Sequence, residues 1–196
     1  MEYKVKDVIK VIEDFAPLSL QEGWDNSGLC IGSPEDAVSS VLFGLDCTPE
    51  LVDEAVACGA DMIVTHHPLI FSGLKKISPD NKVGEAVIKA IRSGISIYAA
   101  HTSADKVIAG VSGAMAAKLG LVNVSILDED GEGTGLGVVG DLSEPLSADE
   151  AVSLVKERFA LKALRTSKPL DGRITRVAMC GGSGSSLIGA ARKSGA

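Results

Sequence analysis

Two apolar runs that finish on histidine constrain this chain more than any other feature. Met62-Ile63-Val64-Thr65 leads into His66-His67 and is halted by Pro68; Ile95-Ser96-Ile97-Tyr98-Ala99-Ala100 leads into His101, the last of three histidines in 196 residues. Between the runs, Val83, Ala86, Val87, Ala90 and Ile91 recur at helical spacing from about Lys82 to Ser93, and Gly94 supplies a stop. The order strand, helix, strand predicts a β-α-β unit whose parallel strands end on one edge of a sheet. Ligands of such sheets bind off the carboxyl ends of the strands. The pattern therefore sends every imidazole of the chain toward one place.

Neutral imidazole is the commonest nitrogen ligand of zinc, manganese, iron or nickel, and a carboxylate is its usual companion in catalytic sites. Asp105 lies four residues after His101, so a helical turn there puts both on one face. Consecutive residues at a strand end project to different sides, so His66 and His67 could each hold a different ion of a pair about 3.5–4 Å apart. A single histidine at a strand end is more often just a polar rim residue. Three of them converging with an aspartate favour metal.

With 45% hydrophobic residues the chain can bury a core in one or two domains, and its net charge of -7 supplies no basic face for a phosphate backbone. No nucleic-acid partner is expected. Cys30, Cys47, Cys58 and Cys180 are widely spaced without a C-x-x-C pair, as in a reduced protein without a disulfide framework. The start, Met1-Glu2-Tyr3-Lys4-Val5, has no apolar signal core, and no run reaches membrane-spanning length. The expectation is a cytoplasmic protein without a membrane partner.

Elsewhere the spacing of Val5, Val8, Ile9, Ile12 and Phe15 predicts a packing helix that stops at Pro17. Asp25 and Asn26, beside the only tryptophan, Trp24, read as turn residues that bond the backbone rather than face a site. Val38 to Leu45 reads as a buried strand. A helix opens next with Thr48 as N-cap and Pro49 at N1, and Gly59 closes it. A small-residue helix is expected over 107–119. The acidic, glycine-rich run 128–135 reads as a flexible linker, 136–142 and 161–167 as strands, and Ser147 with Glu150 as a capping box. The predicted organisation is a first α/β lobe over 1–124, a linker and small α+β insert over 125–172, and the start of a second α/β lobe over 173–196.

That second lobe rests on an internal repeat. A shift of 136 places sets Val41 on Val177, Leu51 on Leu187, Val52 on Ile188, Ala55 on Ala191 and Gly59 on Gly195. Where the first copy continues into the two-histidine strand, the second reaches Ala196, so the expectation is an incomplete second lobe and a longer parent protein. The turn Cys180-Gly181-Gly182-Ser183-Gly184 before the last helix has neither a P-loop lysine nor a full G-x-G-x-x-G, and as the counterpart of the 46–49 turn it needs no anion.

Four motifs together give a resemblance: Trp24-Asp25-Asn26-Ser27-Gly28-Leu29, Thr65-His66-His67-Pro68-Leu69-Ile70-Phe71, His101-Thr102-Ser103-Ala104-Asp105 and Val177-Ala178-Met179-Cys180-Gly181-Gly182-Ser183-Gly184. The chain resembles, over its whole length, the dinuclear-metal-centre proteins known as type 2 homologues of GTP cyclohydrolase I, or NGG-interacting-factor-like proteins. The resemblance implies a two-lobed α/β fold, two divalent metal ions between the lobes, and a ring-shaped homo-oligomer, typically a hexamer. It implies His66, His67 and Asp105 as metal ligands, with His101 nearby as a supporting residue or catalytic proton carrier. Two departures stand out. The His-x-x-Ser-Glu-like motif that completes the family's site is absent from this sequence, and Leu136 stands where many members carry an arginine between glycines.

The leading functional expectation is a metal-dependent, hydrolase-like enzyme whose paired ions activate water against an unidentified small molecule, a nucleotide or cyclic amide. The alternative is a non-catalytic metal-binding or regulatory scaffold. A plain α/β interaction module is the third.

Overall fold

A computed structural model describes residues 2–167 and 171–196. The chain forms two compact units, Met1–Ala104 and Asp105–Ala196, and its fold class is mixed α/β.

In the first unit a four-stranded sheet has the order β1-β4-β3-β2, where β1 is Gly28–Ile31, β2 Val41–Gly44, β3 Met62–Thr65 and β4 Ser96–Ala99. β2, β3 and β4 run parallel, and β1 is antiparallel to β4. Helix α2 (Pro49–Cys58) joins β2 to β3, and α3 (Lys82–Ser93) joins β3 to β4, as the histidine runs predict. Every residue of β3 and β4 is buried, because helices cover both faces of the sheet.

Strand alternation decides which face each side chain takes. Ile63 and Ile97 pack with Val52, Ala55, Ala86, Val87 and Ala90 of α2 and α3. Met62, Val64 and Tyr98 pack on the other side against Val5, Val8, Ile9 and Ile12 of α1 (Val5–Phe15). Each large apolar side chain so buried contributes about 1.5–3 kcal/mol. The helix ends follow local chemistry. Thr48 Oγ1 accepts the Leu51 N–H at 3.2 Å, Asn81 Oδ1 accepts that of Gly84 at 2.9 Å, and Gly59 and Gly94 close their helices at φ 69 and 65.

The second unit has a three-stranded antiparallel sheet, β5-β6-β7, made of Val122–Gly131, Thr134–Leu146 and Ile174–Met179. Its core, Ala116, Leu119, Leu121, Ile126 and Val138, is shared with α5 (Val111–Leu119), and partly buried residues of α6 (Ala148–Arg158) pack against it. The Ser147–Glu150 capping box is present.

Several details differ from the sequence expectations. The acidic run at 128–135 is the tip of the β5-β6 hairpin rather than a flexible linker: its backbone pairs across the ladder, Asp130 pairs with the Lys106 ammonium, and Gly133 takes φ 70 at the turn. Residues 161–167 form no strand. Helix α5 begins at Val111, because Val107 makes an isolated bridge to Thr134. The expected boundary at 124 falls within β5, and residues on both sides of 172 contribute strands to one sheet. The repeated order of strand then helix recurs as β7 followed by α7 (Ile188–Lys193), but β2 pairs parallel with β3 whereas β7 pairs antiparallel with β6.

All four cysteines are free thiols. Burial pushes Cys30 up to about 11 and Cys47 up to about 12. Among the described residues, no helix is long and apolar enough to cross a membrane.

Candidate metal centre

The carboxyl ends of β2, β3 and β4 meet in register: Gly44 pairs with Thr65, and Thr65 with Ala99. Main-chain bonds continue past the strand ends, from His66 N–H to the Gly44 carbonyl (3.3 Å), His67 N–H to Leu45 (3.0 Å) and Ala100 N–H to Thr65 (2.9 Å). Thr65 Oγ1 also donates to the His67 carbonyl at 2.8 Å. Continued two residues onward, this register aligns Asp46, His67 and His101. The histidines thus stand on backbone held by the sheet rather than on a loose loop.

The three rings form a triangle, with centroids 4.9 Å apart for His66–His67, 5.1 Å for His66–His101 and 5.6 Å for His67–His101. One ring nitrogen from each lies within 4.8 Å of the others.

Each Nδ1 has its own acceptor. His66 Nδ1 is 3.0 Å from the Ala100 carbonyl, His67 Nδ1 is 2.7 Å from Asp46 Oδ1, and His101 Nδ1 is 2.8 Å from Asp25 Oδ1. A carbonyl or carboxylate oxygen takes a proton from its partner, so these contacts assign the proton to Nδ1 and the lone pair of the neutral ring to Nε2. Metal-binding histidines are held in this way, with the second nitrogen bonded to a carboxylate or carbonyl that fixes the ring and raises its basicity.

Asp25 is the most enclosed of these partners, its side chain 0% exposed. Besides His101 it accepts bonds from Thr102 Oγ1, the Thr102 N–H (3.1 Å), Ser27 Oγ (2.8 Å) and the Asn26 N–H (2.7 Å). Ser27 Oγ in turn accepts the His101 N–H at 3.2 Å, and Thr102 Oγ1 accepts that of Glu22 at 2.9 Å. Burial by itself would raise the Asp25 pKa. The bonds from Thr102, His101 and Ser27 outweigh it and hold the carboxyl well below the usual carboxylate range. Asp25 bonds the backbone as expected, but the expectation that it does not face a site is overturned, since the same carboxylate orients His101. Asp46 had no sequence motif to mark it. Its signal was its place immediately after a strand parallel to the two-histidine strand.

Two large aromatic rings flank the cluster. The Trp24 and Phe71 centroids lie 6.1 and 6.5 Å from that of His101, nearly edge-on. Asp105 ends α4 (Thr102–Asp105) and is the first residue of the second unit. There Oδ1 lies 3.8 Å from where a β-carbon on Gly181 would stand, beside the Cys180 thiol, whose pKa is pushed up by burial and then by the Asp105 charge. The structure thus brings His66, His67 and His101 together in the first unit and sets Asp105 beside the glycine-rich turn of the second.

This donor set can hold a metal. Three imidazole nitrogens are a known catalytic zinc set, with metal–nitrogen distances of about 2.0–2.1 Å, so donors on one ion lie no more than about 4.2 Å apart. The ring nitrogens, within 4.8 Å of one another, stand close to that limit, so the cluster could bind a metal ion.

An α/β sheet that gathers three backed imidazoles at its strand ends defines a class of candidate metal-site proteins. The chain belongs to the Duf34/NIF3 (NGG1p interacting factor 3) family, whose model matches residues 3–196. Relatives called GTP cyclohydrolase 1 type 2 homolog include one from Clostridium acetobutylicum, 39% identical over all of this chain and 74% of its own length, and one from Clostridium perfringens, 38% identical over 98% of this chain and 74% of its own. Among solved structures, a hypothetical protein of Staphylococcus aureus matches with a TM-score of 0.93 and 28% identity, covering 98% of this chain and 76% of the other. A Bacillus cereus protein related to NIF3 also gives 0.93, at 26% identity, over 100% and 81%.

Proposed function

We propose that this chain is a divalent-metal protein, that His66, His67 and His101 supply nitrogen ligands from Nε2, and that the centre holds two ions of zinc, manganese, iron or nickel. The observation that carries the reading is that all three imidazoles converge and each has its Nδ1 engaged by an oxygen acceptor. Asp105 joins the proposed ligands through the His101-Thr102-Ser103-Ala104-Asp105 motif. The chemistry we assign is hydrolase-like, with the ions lowering the pKa of bound water and polarising a small-molecule substrate. The residues of this chain would orient the ligands, and Asp25 would hold the proton on His101 Nδ1.

Metal analysis of the purified protein tests the proposal. Wild-type protein is expected to carry metal, and the His66→Ala, His67→Ala double variant to lose it with an unchanged circular-dichroism spectrum. Full occupancy in that variant would sink the assignment. The metal content of Asp105→Asn reads the contribution of that carboxylate separately. Metal-dependent turnover across nucleotides and cyclic amides distinguishes an enzyme from a metal-binding scaffold.

A further inference from the structure

Four strands stand at the edges of the two sheets, and three of them are guarded against pairing with another chain. β1 carries a bulge between Leu29 and Ile31, β5 carries the exposed Asp128 and Glu129, and β7 carries Arg176 just after Arg173. Bulges and charges are the usual devices by which an open edge avoids a new neighbour. β2 has neither. Residues 41–45 contain no charge and no proline, and the register of β2 on β3 is regular.

The main chain of β2 is divided between its two sides. The Ser40 and Gly44 carbonyls accept the Met62 and His66 N–H groups, both at 3.3 Å, so the even-numbered residues turn their polar groups toward β3. By the alternation of a strand, Val41 and Phe43 turn theirs to the other side, where no strand pairs among the described residues. The side chains add to this. Leu42 packs toward α2 and α3 and Val41 toward α1, but Phe43 is 69% exposed and Leu45 is 61% exposed. A buried aromatic ring removes about 150–250 Å² from water, and most of that surface is open at Phe43.

The residues of this edge specify what fits it. In antiparallel pairing about a two-fold axis at Phe43, residue 43 faces itself, Val41 faces Leu45, and Ser40 faces Asp46. Every apolar side chain then meets an apolar one, and the one carboxylate meets a hydroxyl. Like charges placed opposite each other destabilise a ladder, and this register contains none. The edge is therefore complementary to itself. We propose that β2 is the surface through which two copies of this chain join, pairing antiparallel about Phe43 so that their sheets run on into one another.

Sedimentation velocity of the full chain reads the contact. Losing a two-fold contact divides an assembly in two, so Phe43→Lys is expected to halve the mass of the sedimenting species. Val11→Lys, at a position 70% exposed on α1, is expected to leave that mass unchanged. Circular dichroism and thermal unfolding should match wild type in both, since substitutions of exposed groups cost little. Cross-linking reads the register. In a Cys58→Ser background, which removes the exposed native thiol, Phe43→Cys is expected to give a covalent dimer with a short bismaleimide, because the paired Cα atoms would stand about 5.5 Å apart; Val11→Cys is expected to give none. A monomeric wild type, an unchanged mass in Phe43→Lys, or a Phe43→Cys chain that does not cross-link overturns the proposal. Hydrogen exchange at the Phe43 amide as fast as in an unpaired chain also overturns it, and leaves the edge to an extended segment of another protein.

Discussion

The two ends of β3 carry polar residues with different partners. At the start, Asp61 Oδ2 accepts the Ser39 N–H, the Ser39 hydroxyl and the Ser40 N–H at 2.8–3.1 Å, which ties β2's approach to β3. At the finish, the Nδ1 atoms of His66, His67 and His101 are engaged by the Ala100 carbonyl, Asp46 and Asp25. The first set joins strand to strand, and the second orients rings. The two carboxylates behind the histidines also differ. Asp25 is enclosed and bonded five times over, whereas Asp46 is 57% exposed beside a His67 that is 46% exposed.

The largest effect is expected at Asp25. Asp25→Ala strands the buried donors of Thr102, Ser27 and His101, and should cost about 3–5 kcal/mol on denaturant unfolding together with a 10- to 100-fold loss of metal affinity. A variant as stable as wild type would show that the network does not hold the β4 end. Asp25→Asn keeps the shape, so recovery of most of the stability without recovery of affinity would separate orientation from packing.

Asp46→Ala comes next. Metal affinity should fall about tenfold, while stability stays within about 0.5 kcal/mol because substitutions of exposed surface groups cost little. Isothermal titration with zinc or manganese reads the first quantity and thermal unfolding the second. Equal stability losses at Asp25 and Asp46 would erase the distinction drawn between them.

Asp61→Ala should behave inversely, with a loss of about 1 kcal/mol of stability and unchanged metal content. Any loss of metal would mean that the two ends of β3 are not separable. The smallest effect lies in the acid limb of the stability profile. Hydrogen bonds from the Ser39 N–H and hydroxyl, opposed by burial and aided by the Ser40 N–H, lower the Asp61 pKa from 3.8. A depressed folded-state pKa gives stability that is present above the unfolded value and lost as pH falls through the folded one. Asp61→Asn should therefore flatten the decline below about pH 4, and identical acid limbs in variant and wild type would contradict the assignment.

Much of the first unit was legible because local signals and burial agree there. Thr48, Pro49 and Gly59 mark a helix by capping chemistry, and Ile63 and Ile97 mark strands by continuous apolar runs that only a sheet covered on both faces can bury. The second unit was less legible because hairpin pairing is non-local. The acidic residues at 128–130 have poor strand propensity, yet the ladder to 134–136 and a buried Ile126 hold them extended. At 161–167 the apolar residues suggested a strand that has no partner among the described residues.

The sequence by itself determined that three imidazoles reach the ends of two parallel strands of one sheet, since run lengths and the intervening helix leave no other simple course for the chain. Only the tertiary structure decided which oxygens stand behind them. Asp25 is 76 residues from His101 in the chain, Asp46 is 21 from His67 and the Ala100 carbonyl is 34 from His66. No local pattern encodes such contacts. They are set by the register of neighbouring strands, and that register follows from how both faces of the sheet are buried.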